Sequence, residues 1–437
     1  MARFRTAKMA LVAGSVLLAV AAAFLATRGN SHLSRDPYVQ MLSPTSALVR
    51  WRTVGTGLVQ FETVNESTGK RTSRPVTHVG GEYEARLTGL TPFTDYEYRI
   101  YSGLGPARRR LEHGEFKTAP AGPAPRPVDI WVLGCSGNAN DVVERVRDAY
   151  LAHTASRPDM MLLLGDNAYY YGTDEEYQAG LFKPFGNVLT NVPVWPVIGN
   201  HDKKHLAVWQ GTGPYFDIFT LPAAGECGGV PSGNEVYYSF DYGEIHVIAL
   251  YSETDDQGIL DPMLDWAARD LAASTARWKI AMMHRPPYSP GEGEEEGGEE
   301  SDERLILMRE QVAPVLEAGG VDLVLSAHTH VYARSYLLSG RTAAPELATP
   351  ESIVDRGSKE EFEGAPTWVF RPDGRGTLYV VMGSSSKLEG GEGNDPALAD
   401  IHLENGSLAL RVADGWLLGE FITQHGVLED RFALLKP

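Results

Sequence analysis

Four short, largely apolar runs, each passing straight into a cluster of Gly, Asp, Asn or His, constrain this chain more than anything else in it. They are Met160–Leu164, Val194–Ile198, Lys279–Met283 and Val321–Leu325, with Asp129–Leu133 ahead of them. Runs of this length and composition predict strands covered on both faces. The intervening segments Val142–His153, Leu260–Ala273 and Glu303–Ala318 carry apolar residues at helical spacing. Strands alternating with helices predict an α/β domain, placed at 126–437. Within it, Tyr237–Leu250 predicts a hairpin turning at Tyr242-Gly243, and from Gly376 onward the pattern returns to strands and turns.

In an α/β sheet, ligands bind just beyond the carboxyl ends of the strands. The chemistry-bearing residues of this chain fall there. Gly165-Asp166-Asn167-Ala168-Tyr169 follows the first run and Gly199-Asn200-His201-Asp202 the second. His284-Arg285-Pro286-Pro287 follows the third, and Ser326-Ala327-His328-Thr329-His330 the fourth. Taken singly, each has an ordinary reading: Asp166 as a helix cap, His284 as a satisfied core histidine, His328 and His330 as a chance pair. Four in order, each at a strand end, point to one shared pocket. A carboxylate, an amide, three imidazoles and a phenol make a mixed nitrogen and oxygen donor set. Such a set suits iron, zinc or manganese rather than calcium.

The order of these motifs resembles that of the calcineurin-like metallophosphoesterases. The Tyr in Gly-Asp-x-x-Tyr narrows the resemblance to the purple acid phosphatases. The resemblance implies a four-layer α/β/β/α domain holding two metal ions, iron together with zinc, manganese or a second iron. It implies that Asp166 bridges them, that Tyr169 and His330 bind the first, ferric in the family, and that Asn200, His284 and His328 bind the second. His201 is implied to stand beside the phosphoryl group and donate a hydrogen bond or proton. The implied activity is hydrolysis of small phosphate monoesters by a hydroxide generated on the metal pair. A phosphodiesterase or nucleotidase on the same scaffold is the alternative.

Residues 33–120 are predicted to be all-β, with alternating stretches such as Ser46–Trp51 and Leu58–Thr63. The segment Leu90-Thr91-Pro92-Phe93-Thr94-Asp95-Tyr96-Glu97-Tyr98 resembles the corner of a fibronectin type III sandwich, with Tyr96 as the corner tyrosine and Trp51 as the core tryptophan. A domain of this kind also precedes the catalytic domain in the larger purple acid phosphatases. A Pro- and Ala-rich linker, Ala119–Pro127, separates the two parts.

The chain departs from the family pattern in three places. Where the family has Gly-Asp-x-Gly after its first strand, this chain has Gly134-Cys135-Ser136-Gly137. Three readings of Cys135 stay open: a thiolate metal ligand, a bystander, or the mark of a degenerate protein that binds metal without turnover. As a ligand it favours zinc or ferrous iron over ferric iron. Ala327 replaces a Gly before the His pair, adding a methyl group and disfavouring positive φ. The loop Ser289–Glu303 lacks the histidines that family members place against substrate, and its eight acidic residues between Glu292 and Glu303 predict a solvated acidic loop. Among flanking residues, Arg334 is expected in an ion pair, and Tyr170 and Tyr171 line the pocket or pack. Lys203, Lys204 and His205 read as a solvated run, and Asn65 and Asn405 head glycosylation sequons.

Composition sets outer bounds. A net charge of −18 over 437 residues argues against nucleic acid as a partner. Two cysteines cannot frame a chain of this length, though a single Cys135–Cys227 bridge is left open. Arg3, Arg5 and Lys8 precede an apolar run from Met9 to about Ala26, so residues 1–30 are expected to be a signal peptide or membrane anchor. The protein is accordingly expected to be exported: secreted, periplasmic or anchored facing outward.

Overall fold

The computed structural model describes residues 31–437 except 56, 80, 106–107, 155, 292–297, 344–349, 373–374 and 392–394. The apolar N-terminal run and the acidic stretch 292–297 lie outside the described residues. Among those described, no helix is long and apolar enough to cross a membrane.

The N-terminal part is a sandwich of two four-stranded sheets. One holds His32–Gln40, Ser46–Val54, Glu82–Thr88 and Thr77–Val79; the other holds Arg71–Arg74, Val59–Asn65, Asp95–Ser102 and Arg109–Lys117. Trp51 is fully buried between the sheets, stacked on Phe61 at 5.5 Å and on Tyr83 at 5.9 Å. The Tyr96 hydroxyl accepts the Thr91 amide at 2.9 Å, which ties the strand back to the preceding turn.

The larger part is built on two facing sheets. In the eight-stranded sheet, Val194–Pro196, Met160–Leu163 and Val128–Leu133 run parallel as neighbours. Gly406–Val412, Trp416–Thr423 and Leu428–Leu435 continue it antiparallel, and Ala365–Phe370 and Ser358–Phe362 close its edge. In the seven-stranded sheet, Ile245–Ala249, Trp278–Met282, Leu323–Ser326 and Leu378–Met382 run parallel. The sheets meet through aromatic stacks, Trp195 on Phe240 at 3.8 Å and Tyr332 on Phe421 at 4.1 Å. Helix Asp141–His153 covers the first sheet, with Tyr150 on Trp131 at 4.2 Å. Helix Gln257–Ala273 covers the second, where Lys279 donates to the Leu271 carbonyl at 2.7 Å. This is the four-layer α/β/β/α arrangement.

Three details differ from the sequence reading. The helix expected over Glu303–Ala318 starts earlier, at Gly298, so the end of the segment read as an acidic loop is helical. The segment expected as one helix over Glu303–Ala318 contains a wider π turn at Met308–Val312. Cys135 and Cys227 are both free and buried, so no bridge joins them.

The sandwich is bolted to the larger domain by charge. Arg35 pairs with Glu82 at 2.5 Å and Asp174 at 2.9 Å, and Arg52 pairs with Asp174 at 2.6 Å. Asp174 opens the short helix Asp174–Tyr177, which stands next to the strand-end residues.

Candidate metal centre

Three of the strand exits pass through a left-handed residue. Cys135, Asp166 and His328 adopt positive φ, at 51°, 53° and 65°. A non-glycine residue pays for such a conformation in strain, so three together mark a demanding local geometry. Close packing between the loops makes the turns necessary. A side chain at Gly199 would put its Cβ 2.2 Å from Asp166 Oδ1, and one at Gly165 would meet His284 Nδ1 at 2.5 Å. Ala327 is accommodated because the positive φ falls on His328, and its buried methyl sits against Gly134, where another Cβ would come within 2.5 Å.

All seven residues expected to bind metal come into one cluster. Ligand atoms of Cys135, Asp166 and His330 lie within 4.8 Å of one another, and all three residues are buried. The Tyr169 hydroxyl is 3.0 Å from Asp166 Oδ2 and 3.2 Å from His330 Nε2. On the other side of Asp166, His284 Nε2 lies 3.5 Å from Oδ2. Asn200 Oδ1 lies 3.0 Å from His284 Nε2 and 3.2 Å from His328 Nδ1. Asp166 therefore separates a Cys–Tyr–His group, offered by both sheets, from an Asn–His–His group.

The hydrogen bonds decide which ring nitrogens face inward. His284 Nδ1 donates to the Leu164 carbonyl at 2.8 Å, which leaves its Nε2 lone pair facing the Asn200 carbonyl oxygen at 3.0 Å. A proton on Nε2 or a bound cation would satisfy this pair. His330 Nδ1 faces Glu389 at 3.6 Å, leaving Nε2 toward Tyr169. Burial, helped by the Lys387 charge, pushes the His330 imidazole down to about 3, so its ring is neutral near neutral pH. Burial works against charge on Asp166, but the imidazoles of His284 and His201 hold its carboxyl below the usual range. Burial, then the Asp166 charge, raises the Cys135 thiol and the Tyr169 phenol. Cys135 and Tyr169 are thus donors that lose their protons only against added positive charge. This donor set fits two first-row cations.

His201 sits at the rim. Its amide donates to Asp166 Oδ1 at 2.9 Å, its Nδ1 donates to the Tyr170 carbonyl at 2.9 Å, and its Nε2 lies 4.0 Å from Asp166 Oδ2. Buried Asp202 accepts from the Gly199 amide at 2.8 Å and the Tyr177 hydroxyl at 2.7 Å, which fixes the turn carrying Asn200 and His201.

Sequence reasoning missed a supporting layer. The Arg285 guanidinium stands 2.9 Å from His328 Nε2, on the ring edge away from Asn200, and pairs with buried Glu253 at 2.9 Å. Glu253 also follows a strand, Ile245–Ala249, so the strand-end rule applied to that run would have found it. Ser386, on the loop after Leu378–Met382, donates to the Cys135 carbonyl. Arg334 points away from the centre and forms the expected ion pair, with Asp430 at 2.6 Å.

Residues 128–332 match the family model described as calcineurin-like phosphoesterase. The chain carries a calcineurin-like phosphoesterase domain and is homologous to the purple acid phosphatases. Purple acid phosphatase 15 of Arabidopsis thaliana is 29% identical over 312 residues, covering 64% of this chain and 54% of that one. Purple acid phosphatase 22 of the same plant is 27% identical over 350 residues, covering 72% and 74%. The chain spans about half the length of the first of these relatives. The purple acid phosphatase PPD1 from yellow lupin seeds shares the fold, with a TM-score of 0.69 at 17% identity, over 92% of this chain and 74% of that one. The phosphoesterase domain supplies every residue of the cluster.

Proposed function

We propose that this protein is an exported, metal-dependent phosphoesterase that hydrolyses small phosphate monoesters at the centre described above. The observation that carries the reading is the convergence of His284 Nε2 and His328 Nδ1 on the Asn200 carbonyl oxygen, at 3.0 and 3.2 Å, with Asp166 shared between them and the Cys135–Tyr169–His330 group.

In this reading Cys135, Tyr169, His330 and Asp166 hold one cation, and Asp166, Asn200, His284 and His328 hold the second. Iron with zinc, manganese or a second iron suits the set, and a thiolate at Cys135 favours zinc or ferrous iron in the first place. Such a pair, when bound, polarises the phosphoryl oxygens and acidifies water. The chain's own residues do the rest. Asp166 holds the two groups together through one carboxylate. His201, held by the Tyr170 carbonyl on Nδ1, offers Nε2 to the substrate. Protonated there, it donates to the phosphoryl group and gives its proton to the departing oxygen. The N-terminal sandwich, which we read as a fibronectin type III-like module, braces the rim through Arg35, Arg52 and Asp174. The apolar segment at 9–26, with its basic flank, supports export.

Cys135 favours a second reading, a protein that binds metal without turnover. The two are separated by metal analysis and by turnover of an aryl phosphate across pH, for the natural chain and for Cys135→Asp, with iron, zinc and manganese supplied in turn. Two metals per chain and comparable turnover in both proteins support the phosphoesterase reading. Activity in Cys135→Asp alone supports the second. Absence of metal from both overturns each.

A further inference from the structure

Tyr170 is 53% exposed, whereas the rings it touches are nearly covered: Tyr169 is 6% exposed and His201 7%. Its ring stands edge-on to Tyr169 at 5.6 Å and to His201 at 5.9 Å, so it borders the centre on the solvent side. The open ring stands on a backbone that is held in place. The Glu176 carboxylate accepts the amides of Tyr170 at 2.6 Å, Tyr171 at 2.9 Å and Thr173 at 3.0 Å. Glu176 belongs to the helix whose Asp174 is gripped by Arg35 and Arg52. Neighbouring Tyr171 is differently placed, with Lys204 over its ring at 5.5 Å and His205 against it at 6.2 Å.

Resting on the phosphoesterase reading, we propose that the open ring of Tyr170 is the leaving-group subsite and that it selects phosphoesters whose leaving group is a flat aromatic ring. The leaving oxygen takes its proton from His201 Nε2, and the phosphorus–oxygen bond to it breaks. The carbon skeleton on that oxygen therefore lies just beyond His201, toward solvent, where Tyr170 stands. A phenol ring offers an aromatic partner an offset or edge contact and offers an alkyl chain much less. The backbone is already fixed, so little ordering is lost on contact.

The test is calorimetric binding of phenylphosphonate and methylphosphonate, neither of which can be hydrolysed, to the full metal-loaded chain and to Tyr170→Ala and Tyr170→Phe. The phenyl-over-methyl affinity ratio is expected to fall about five- to tenfold in Tyr170→Ala and to survive in Tyr170→Phe. The ratio of kcat/KM for phenyl phosphate over ethyl phosphate should fall in step. An unchanged ratio in Tyr170→Ala, with both phosphonates bound by the natural chain, overturns the subsite and leaves the phosphoesterase reading standing. Loss of both phosphonates in Tyr170→Ala assigns the ring a structural part and overturns the subsite too. Failure of the metal-loaded natural chain to bind either phosphonate overturns the phosphoesterase reading, and the subsite with it.

Discussion

His246 lies far from the strand-end loops in sequence and gives a stability prediction that can be worked through. It sits in the strand Ile245–Ala249 with its side chain 1% exposed. Its Nδ1 is 2.7 Å from Asp241 Oδ1 and its Nε2 is 2.8 Å from Asp270 Oδ2. Both partners are carboxylates, so both ring nitrogens carry protons and the imidazole is a cation. Burial lowers its pKa, but the bonds to Asp241 and Asp270 outweigh burial and raise it to about 9. The clamp joins three elements. Asp270 belongs to helix Gln257–Ala273 and its other oxygen accepts the Val230 amide at 2.6 Å; the Val230 carbonyl accepts Trp266 Nε1 at 2.8 Å.

A histidine titrating near 9 when folded and near 6.5 when unfolded binds its proton more tightly in the folded chain. It stabilises the fold fully below about pH 6.5, and the contribution fades as pH rises through about 9. At pH 7 that contribution is about 2.5 kcal/mol, at 1.36 kcal/mol per unit, and at pH 10 it is close to zero. Asp241 is partly exposed, so fully buried Asp270 carries most of the effect. The perturbation is His246→Gln, which also leaves Asp270 buried without its cation. The assay is urea unfolding at pH 7 and pH 10, followed by tryptophan fluorescence. The destabilisation caused by His246→Gln should be about 2 to 3 kcal/mol greater at pH 7 than at pH 10. Equal destabilisation at the two pH values would refute the imidazolium clamp.

Arg334 and Asp430 are each 1% exposed, so Arg334→Ala strands a buried carboxylate and should cost about 3 to 5 kcal/mol in urea unfolding, whereas Arg334→Ala with Asp430→Ala should cost less. Tyr96→Phe removes the acceptor of the Thr91 amide and should cost about 1 kcal/mol in the same assay. Gly199→Ala drives a methyl group into Asp166 Oδ1, so the purified variant should hold fewer metal ions by elemental analysis than the natural chain. Full metal content in Gly199→Ala would show that the turn relaxes without disturbing Asp166.

Much of this was legible because the sequence writes strands and their exits in one continuous code. Runs such as Met160–Leu163 are buried throughout, which is why their composition is uniformly apolar, and the residue after each run has to leave the sheet. The change from apolar run to Gly, Asp, Asn and His at that exit made Asp166, Asn200, His284, His328 and His330 visible in the sequence. Partners brought together by topology were not legible. Gly406–Val412 is plainly a strand, but nothing local says that it pairs with Val128–Leu133, more than 250 residues earlier. Nor does local pattern say that Arg285 will meet His328 and Glu253.

Cys135 shows where the code stops. The sequence locates it at a strand exit but leaves its part open, because a thiol there can be ligand, filler or relic. The surroundings narrow the question physically. The residue is buried at φ 51°, beside Asp166 and His330, and its carbonyl is held by Ser386. Its thiol stands with Asp166 and His330, where a ligand to a bound cation would stand. Burial and the Asp166 charge make a bare thiolate unfavourable there, while a bound cation reverses that balance. With Cys135 as a ligand, metal binding releases the thiol proton, and affinity should rise with pH more steeply in the natural chain than in Cys135→Asp, whose carboxyl is easier to ionise. Titration of zinc affinity between pH 6 and 8 measures the two slopes, and equal slopes would remove Cys135 from the ligand set.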